Sequence, residues 1–360
     1  AEPSYAVGAV LSATGTNAAP GSGPHFVAEA DEYDRSFLHL HPLVGLVTNI
    51  EYDHPDIFPD RDAYDEAFAR FVAGVRREGT LVMPSDDPGV ARLTERVDFA
   101  PPARVVTFGE RPGAQWTVQP AGGGWRVTGP RAVDLDFALR IPGRHMARNA
   151  VAALAVLATL GFDPSEAARA LATYAGVGRR FERKGEVGGV LAIDDYAHHP
   201  TEIAVNLRAA RERFPDRRLW AVFQPHTFSR LKAMLPEFAA AFADADRVAI
   251  LDVYAARETD TLGVSADDLR ALLPPAGPGE AARELAALVQ PGDVVLTLGA
   301  GSITEAGPLL LGVLRERGDP GGGEAPGEED PGLKPRAEGT KDPEGPCDVE
   351  PPDRGSGDRS

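Results

Sequence analysis

Four short apolar runs after residue 180 constrain this chain most. They are Val190–Ile193, Leu219–Phe223, Arg247–Leu251 and Asp293–Thr297. Segments with helical spacing separate them, at about 201–214, 229–243, 265–273, 279–289 and 302–316. Strands alternating with helices build βαβ units, so this half reads as α/β with a mainly parallel, doubly wound sheet.

Before residue 180 the pattern is mixed. Ser4–Leu11, His25–Ala28, Leu43–Thr48 and Gly79–Met83 read as strands. Asp60–Arg77 carries Tyr64, Phe68, Phe71, Val72 and Val75 at helical spacing. Val105–Phe108, Gln115–Val118, Trp125–Thr128 and Val133–Leu139 read as antiparallel strands joined by Gly/Pro turns. Ala147–Leu160 is an Ala-rich helix ending at Gly161, and Ser165–Tyr174 is a helix opened by Asp163-Pro164. These patterns divide the chain into 1–179, 180–317 and a tail, 318–360. The tail holds twelve acidic and five basic residues, ten Gly and eight Pro. Such a composition cannot offset ordering entropy and predicts disorder.

The net charge of -17 gives no basic surface for nucleic acid or membrane. Cys347 is the only cysteine, which excludes disulfide frameworks and Cys-based zinc sites. No run is long enough to span a bilayer and no signal peptide is visible, so a cytoplasmic location is expected. The sequence opens at Ala1 on a strand pattern, as though inside a domain.

Polar clusters follow the strand patterns, where α/β sheets bind ligands. Glu29-Ala-Asp-Glu-Tyr-Asp34 and Thr48-Asn-Ile-Glu-Tyr-Asp-His54 suit a divalent metal and phosphate, and equally a solvated acidic loop. Asp194-Asp-Tyr-Ala-His-His-Pro-Thr-Glu202 sets two carboxylates, a phenol and two imidazoles on one turn. Burying them without a role is costly, although Thr201 and Glu202 could cap a helix. In Phe223-Gln-Pro-His-Thr-Phe-Ser-Arg230, His226 and Arg230 point to a bound ligand, and the planar fork of Arg230 suits a carboxylate. Leu298-Gly-Ala-Gly-Ser-Ile-Thr304 is either an anion-binding turn or simply a tight one. Asn149 could meet an adenine edge or sit on a solvated turn. His25, His39 and His41 read as structural.

Taken in order, these segments resemble one family. Pro142-Gly-Arg-His145, Gly178-Arg-Arg-Phe181 and Asp252-Val-Tyr-Ala-Ala256 complete a set that is similar to the peptidoglycan Mur ligases over about residues 4–316. The resemblance implies a substrate domain, a central ATPase domain and a Rossmann-like C-terminal domain. It implies a ligase that uses ATP to join L-alanine to the carboxylate of UDP-N-acetylmuramate through an acyl phosphate. It further implies Mg2+ held by Glu29 and His54, with Asn149 near adenine and Arg180 and Asp194 near the nucleotide. Tyr196, His198, His199, His226 and Arg230 would line the substrate side, with His198 and Arg230 catalytic. Magnesium prefers carboxylates and substrate oxygens, so His54 is the less usual ligand.

The sequence departs from the family in several places. No G-x-x-x-x-G-K-[ST] phosphate loop occurs. Met146 stands where many members have Asn, Leu231 where a Thr is common, and no Lys lies between Pro55 and Phe71. The expectation is therefore the C-terminal two-thirds of a ligase, inactive alone: a truncated or frameshifted product, or one half of a split enzyme partnered by a separate N-terminal fragment. A murein-tripeptide recycling ligase and a non-catalytic Mur ligase fragment are the alternatives. The Phe223–His226 and Asp194–Glu202 segments favour the alanine-adding enzyme.

Overall fold

The computed structural model describes residues 2–96, 99–272 and 282–318. The tail expected to be disordered lies outside them from Asp319 onward. Strands β1 (Ser4–Ala6), β2 (Ala18–Ala19) and β3 (Phe26–Ala28) form a small sheet ordered β2-β1-β3, with β1 and β3 parallel. A 3-10 turn at Tyr33–His39 leads to β4 (Val44–Leu46), α1 (Arg61–Gly74), β5 (Thr80–Pro84) and α2 (Pro88–Thr94). Then come β6 (Arg104–Gly109), β7 (Trp116–Ala121), β8 (Gly124–Gly129), β9 (Val133–Phe137), α3 (Arg144–Thr159) and α4 (Pro164–Leu171).

Strands β4 to β9 form one six-stranded sheet in sequence order. Successive strand residues face opposite sides. Leu81 and Met83 of β5 therefore pack with Tyr64, Phe68, Phe71 and Val72 of α1, while Val82 packs with Ala147, Val151 and Leu154 of α3. The aromatic spacing read on 60–77 is the buried face of α1. One expectation needs correcting. The pairs β5–β6 and β6–β7 are parallel, and only β7–β8 and β8–β9 are antiparallel. Of the strand pairs expected to be antiparallel, only β6–β7 departs, pairing at just Phe108–Trp116 and Gly109–Thr117, while α2 returns the chain between β5 and β6 as a crossover. Its Asp87 cap accepts from the N–H of Val90 at 2.9 Å and from that of Ile50 at 3.3 Å. Pro88 fits the first helical position, where no N–H is needed.

The second layer comprises β10 (Glu182–Val187), β11 (Val190–Asp195), α5 (Pro200–Arg213), β12 (Leu219–Phe223), α6 (Phe228–Ala233) and α7 (Leu235–Ala241). It continues with β13 (Arg247–Ile250), α8 (Ala266–Arg270), α9 (Ala282–Leu288), β14 (Val294–Leu298), a 3-10 turn at Ser302–Glu305 and α10 (Ala306–Gly318). The order is β10-β11-β14-β12-β13, parallel except for the antiparallel edge strand β10. Leu219, Ala221 and Phe223 pack with α5, α7 and α8, whereas Trp220 and Val222 pack with α9 and α10. Both faces are covered, which is why β12 is apolar throughout. The helix expected over 229–243 is two helices broken at Met234, because Pro236 in the first turn of α7 cannot continue α6.

Strand β14 sits between β11 and β12, with Leu298 paired to both Asp195 and Phe223. Three strand ends therefore coincide. The loops that follow, 196–202, 224–230 and 299–304, open on one side of the sheet.

Candidate active site

Strand β11 runs two residues beyond its apolar stretch, and this draws both of its carboxylates inside. Asp194 is fully buried and accepts from the hydroxyls of Thr297 and Thr304, each at 2.7 Å. Asp195 accepts from the N–H groups of Phe181 (2.7 Å) and Ala197 (2.8 Å) and from Nδ2 of Asn206 (3.0 Å). Burial pushes the Asp195 carboxyl up to about 7. Asp194 thus braces the sheet rather than facing a bound nucleotide.

Its charged neighbour is Arg179. Nε of Arg179 lies 3.4 Å from Asp194, and Nη2 donates to the carbonyls of Gly299 (2.6 Å) and Gly301 (3.2 Å). The guanidinium also covers the Tyr196 ring at 4.7 Å. Arg179 therefore clamps the Gly-rich turn against β11, a role the sequence reading did not assign. Its signal was present in Gly178-Arg-Arg-Phe181, but adjacent arginines are indistinguishable until the backbone is placed. Arg180, the expected nucleotide contact, stays partly exposed, with Nη1 3.6 Å from Glu202.

The 196–202 turn is a helix start as well as a polar cluster. His199 caps α5, with Nδ1 accepting from the N–H of Thr201 at 3.3 Å. Its Nε2 then carries the proton and reaches the Tyr52 carbonyl at 3.3 Å, in the loop after β4. Glu202 accepts from the N–H groups of His198 (3.0 Å) and His199 (3.3 Å). Capping thus accounts for His199 and Glu202, not for Thr201. In His198, Nδ1 donates to the Tyr196 carbonyl at 2.9 Å, which leaves Nε2 as the open acceptor, 4.0 Å from Asp53. Burial pushes the His198 imidazole below its ordinary value.

The two layers meet at Asp53 and Arg230. Nε and Nη2 of Arg230 donate to the two Asp53 oxygens at 2.7 and 3.2 Å, and both side chains are largely buried. Burial opposes the Asp53 charge, but Arg230 overrides it and holds the carboxyl well below the usual range. Arg230 Nη1 donates to the carbonyl of His226 and approaches Nδ1 of the same residue at 3.2 Å. His226 stacks on Tyr254, with ring centroids 5.6 Å apart. The carboxylate-binding fork expected of Arg230 is therefore filled by Asp53.

On the other side, His54 Nε2 lies 3.4 Å from Glu32, and Tyr33 meets the His54 ring edge-on. Burial works against a charged His54, but Glu32 and Asp53 outweigh it and raise its pKa. Glu29 is exposed and accepts from the Gly8 N–H at 2.6 Å, where parallel strands β1 and β3 end together. Glu29 and His54 are thus held by different partners. Among the described residues, no group of three or more His, Cys, Asp or Glu side chains is placed to hold a metal. A magnesium ion takes one or two carboxylates and completes its shell with phosphate and water, which an exposed Glu29 suits better than the paired His54. Asn149 is exposed on α3.

The model of the Mur ligase middle domain matches residues 13–157, and that of the Mur ligase glutamate ligase domain matches residues 179–301. UDP-N-acetylmuramate–L-alanine ligase of Saccharopolyspora erythraea is 44% identical over 332 residues, covering 88% of this chain and 68% of that protein. The chain belongs to the Mur ligase family. The corresponding enzyme of Mycolicibacterium gilvum is 44% identical over 330 residues, covering 88% of this chain and 69% of that one. Among solved structures, UDP-N-acetylmuramate–alanine ligase from Thermotoga maritima superposes with a TM-score of 0.68 at 26% identity, over 88% of this chain and 70% of its own. A MurF ligase from the same organism, in complex with ADP, shares the fold at a TM-score of 0.65 and 18% identity. Mur ligases form amide bonds at the expense of ATP, in peptidoglycan synthesis. No helix among the described residues is long and apolar enough to cross a membrane.

In this Mur ligase the His226 ring is pushed down to about 4 by burial and then by Arg230. Between pH 4 and its ordinary 6.5, the unfolded chain binds that proton more tightly. The stability from neutral His226 is therefore present above that window and lost as pH falls through it. His226→Gln should be spared this loss. Relative to the parent, the variant should gain about 2 kcal/mol between pH 7 and pH 4, after allowing for partial exposure. Urea unfolding at both values checks this, and a constant difference between the proteins contradicts it.

Proposed function

We propose that the chain forms the nucleotide and amino-acid side of an ATP-dependent ligase joining L-alanine to the carboxylate of UDP-N-acetylmuramate. The observation that carries this reading is the facing of His198, His226 and Arg230 on one layer against Asp53 and His54 on the other. The identity to alanine-adding relatives supports L-alanine as the amino acid. The division at 179/180, into a central ATP-binding part and a C-terminal Rossmann-like part, and a cytoplasmic location belong to the same reading.

The substrate carboxylate attacks the γ-phosphorus of ATP, the bond from that phosphorus to the β,γ-bridging oxygen breaks, ADP leaves, and an acyl phosphate results. The alanine amine then attacks its carbonyl carbon, and phosphate leaves. Such transfer needs positioning and charge neutralisation more than covalent help. Glu29 would hold magnesium, with His54 as the less usual second ligand, and the ion would supply charge neutralisation at the phosphate oxygens. His198, neutral and with Nε2 free, suits removal of a proton from the alanine ammonium. His226 accepts from Arg230 at Nδ1, so its Nε2–H is the donor offered to the acyl group. Arg230 supplies charge and holds His226. Arg180, and Asn149 on α3, are assigned to the nucleotide, and Tyr196, covered by the Arg179 and Arg180 guanidiniums, to the substrate side. Asp194 and His199 act from behind, by fixing the strand end and the α5 start.

Specificity separates this reading from tripeptide recycling. The chain, joined behind the N-terminal third of the Saccharopolyspora relative, is expected to release phosphate from ATP with UDP-N-acetylmuramate and L-alanine. The murein tripeptide should not replace L-alanine. Release driven by the tripeptide and not by L-alanine overturns the assignment.

A further inference from the structure

We propose that Asp53 is a positioning residue, fixing Arg230 and through it His226 against His54 across the two sheet layers. The role in ligation rests on the reading above; the clasp itself does not. One carboxylate serves both sides. Asp53 Oδ1 accepts from the N–H of His54 at 2.7 Å and from Nε of Arg230 at 2.7 Å. His54 has left-handed backbone with φ 54°, so the first bond holds a turn that a β-carbon disfavours. Oδ2 accepts from Nη2, which also lies 3.4 Å from His54 Nδ1. The remaining Nη1 holds His226.

The geometry matters because a guanidinium is planar. One contact to a carboxylate sets a distance, whereas two parallel contacts set an orientation as well. With Asp53 on both Nε and Nη2, the plane of Arg230 is fixed relative to the loop carrying His54. His226 is fixed in turn. The adjacent contacts are of a different kind. Tyr52 meets His199 through its backbone carbonyl, which any residue offers. Glu51 accepts from the Thr201 hydroxyl at 2.5 Å as an exposed pair. Asp53 alone of these three joins buried charges. Glu32 and His198 face the same space, at 3.4 Å from His54 and 4.0 Å from Asp53 respectively.

The test uses the 360-residue chain, with Cys347→Ser and spin labels at Glu66→Cys and Glu237→Cys. These are exposed positions on α1 and α7, one on each layer. The expected result is one narrow label–label distance. Asp53→Asn is nearly isosteric but turns an N–H toward Nη2, so it should broaden and lengthen that distance. Glu51→Gln should leave it unchanged. The spectroscopic signature is the Arg230 Nε–H resonance, identified by its loss in Arg230→Lys. It should be protected from solvent exchange in the parent and lost in Asp53→Asn, with helix content unchanged. An unaltered distance and a retained resonance in Asp53→Asn overturn the proposal. Should that variant fail to fold, the parent decides, because an Arg230 Nε–H exchanging as fast as exposed arginines overturns it too. Neither readout needs substrate or turnover, so failure of the ligase assignment would leave these results standing.

Discussion

Arg230→Ala should lower folding stability by about 3–5 kcal/mol, the range for removing one partner of a buried ion pair. Arg230 keeps 5% of its side chain exposed and Asp53 13%, so water cannot replace the lost donors. The Asp53 carboxylate would keep the His54 N–H, with the imidazoles of His54 and His198 no nearer than 3.9 and 4.0 Å. The contacts of Arg230 Nη1 to the carbonyl and to ring Nδ1 of His226 would go as well. Removing both members, in Asp53→Ala/Arg230→Ala, should cost less than the two single changes summed, because no uncompensated charge remains. Urea unfolding of the parent, both single variants and the double variant measures this. A loss below about 1 kcal/mol in Arg230→Ala, typical of a surface pair, contradicts the buried-pair account.

Adjacent arginines should behave oppositely. Arg179→Ala leaves Asp194, with no exposure, beside two hydroxyl donors and no cation. It also strips the carbonyls of Gly299 and Gly301 of a charged donor. Arg179 keeps 25% of its surface, which moderates the effect, and a loss of about 3 kcal/mol is expected. Arg180 is 44% exposed and meets Glu202 at 3.6 Å, so Arg180→Ala should cost less than about 1 kcal/mol. Equal losses in the two variants would show that Arg179 does not clamp the Gly-rich turn.

The contrast between these arginines shows where a sequence stops informing. Periodic features were readable. The runs at 219–223 and 293–297 are apolar at every position because helices cover both faces. The α1 face was readable from its aromatic spacing. Strand β10, Glu182–Val187, is polar and lies at an edge, so it carries no such pattern. Helix α2 was announced only by Asp87-Pro88 and is seven residues long. Missing it hid the crossover between β5 and β6, and the short pairing of β7 with β6, two residues on each strand, carries no pattern that sets its direction. Within the site, the residue types and their strand-end positions were legible, but their partners were not. Which of Arg179 and Arg180 turns inward depends on left-handed backbone at Arg179, φ 60°. Asp53 and Arg230 are 177 residues apart, and no local pattern links them. His199 resembled a ligand contact because an imidazole is an uncommon helix cap.

On the proposed function, L-alanine is handled where His198 and His226 face Asp53 and His54. The most direct measurement is steady-state phosphate release by the chain joined behind the N-terminal third of its Saccharopolyspora relative. The His198→Ala variant is compared with the parent as L-alanine and ATP are varied separately. The Michaelis constant for L-alanine should rise by about tenfold or more, as loss of a hydrogen bond to a charged group implies. The constant for ATP should stay within about twofold, since His198 is assigned no nucleotide contact. An ATP constant that rises strongly while the L-alanine constant holds would place His198 with the nucleotide and not with the amino acid.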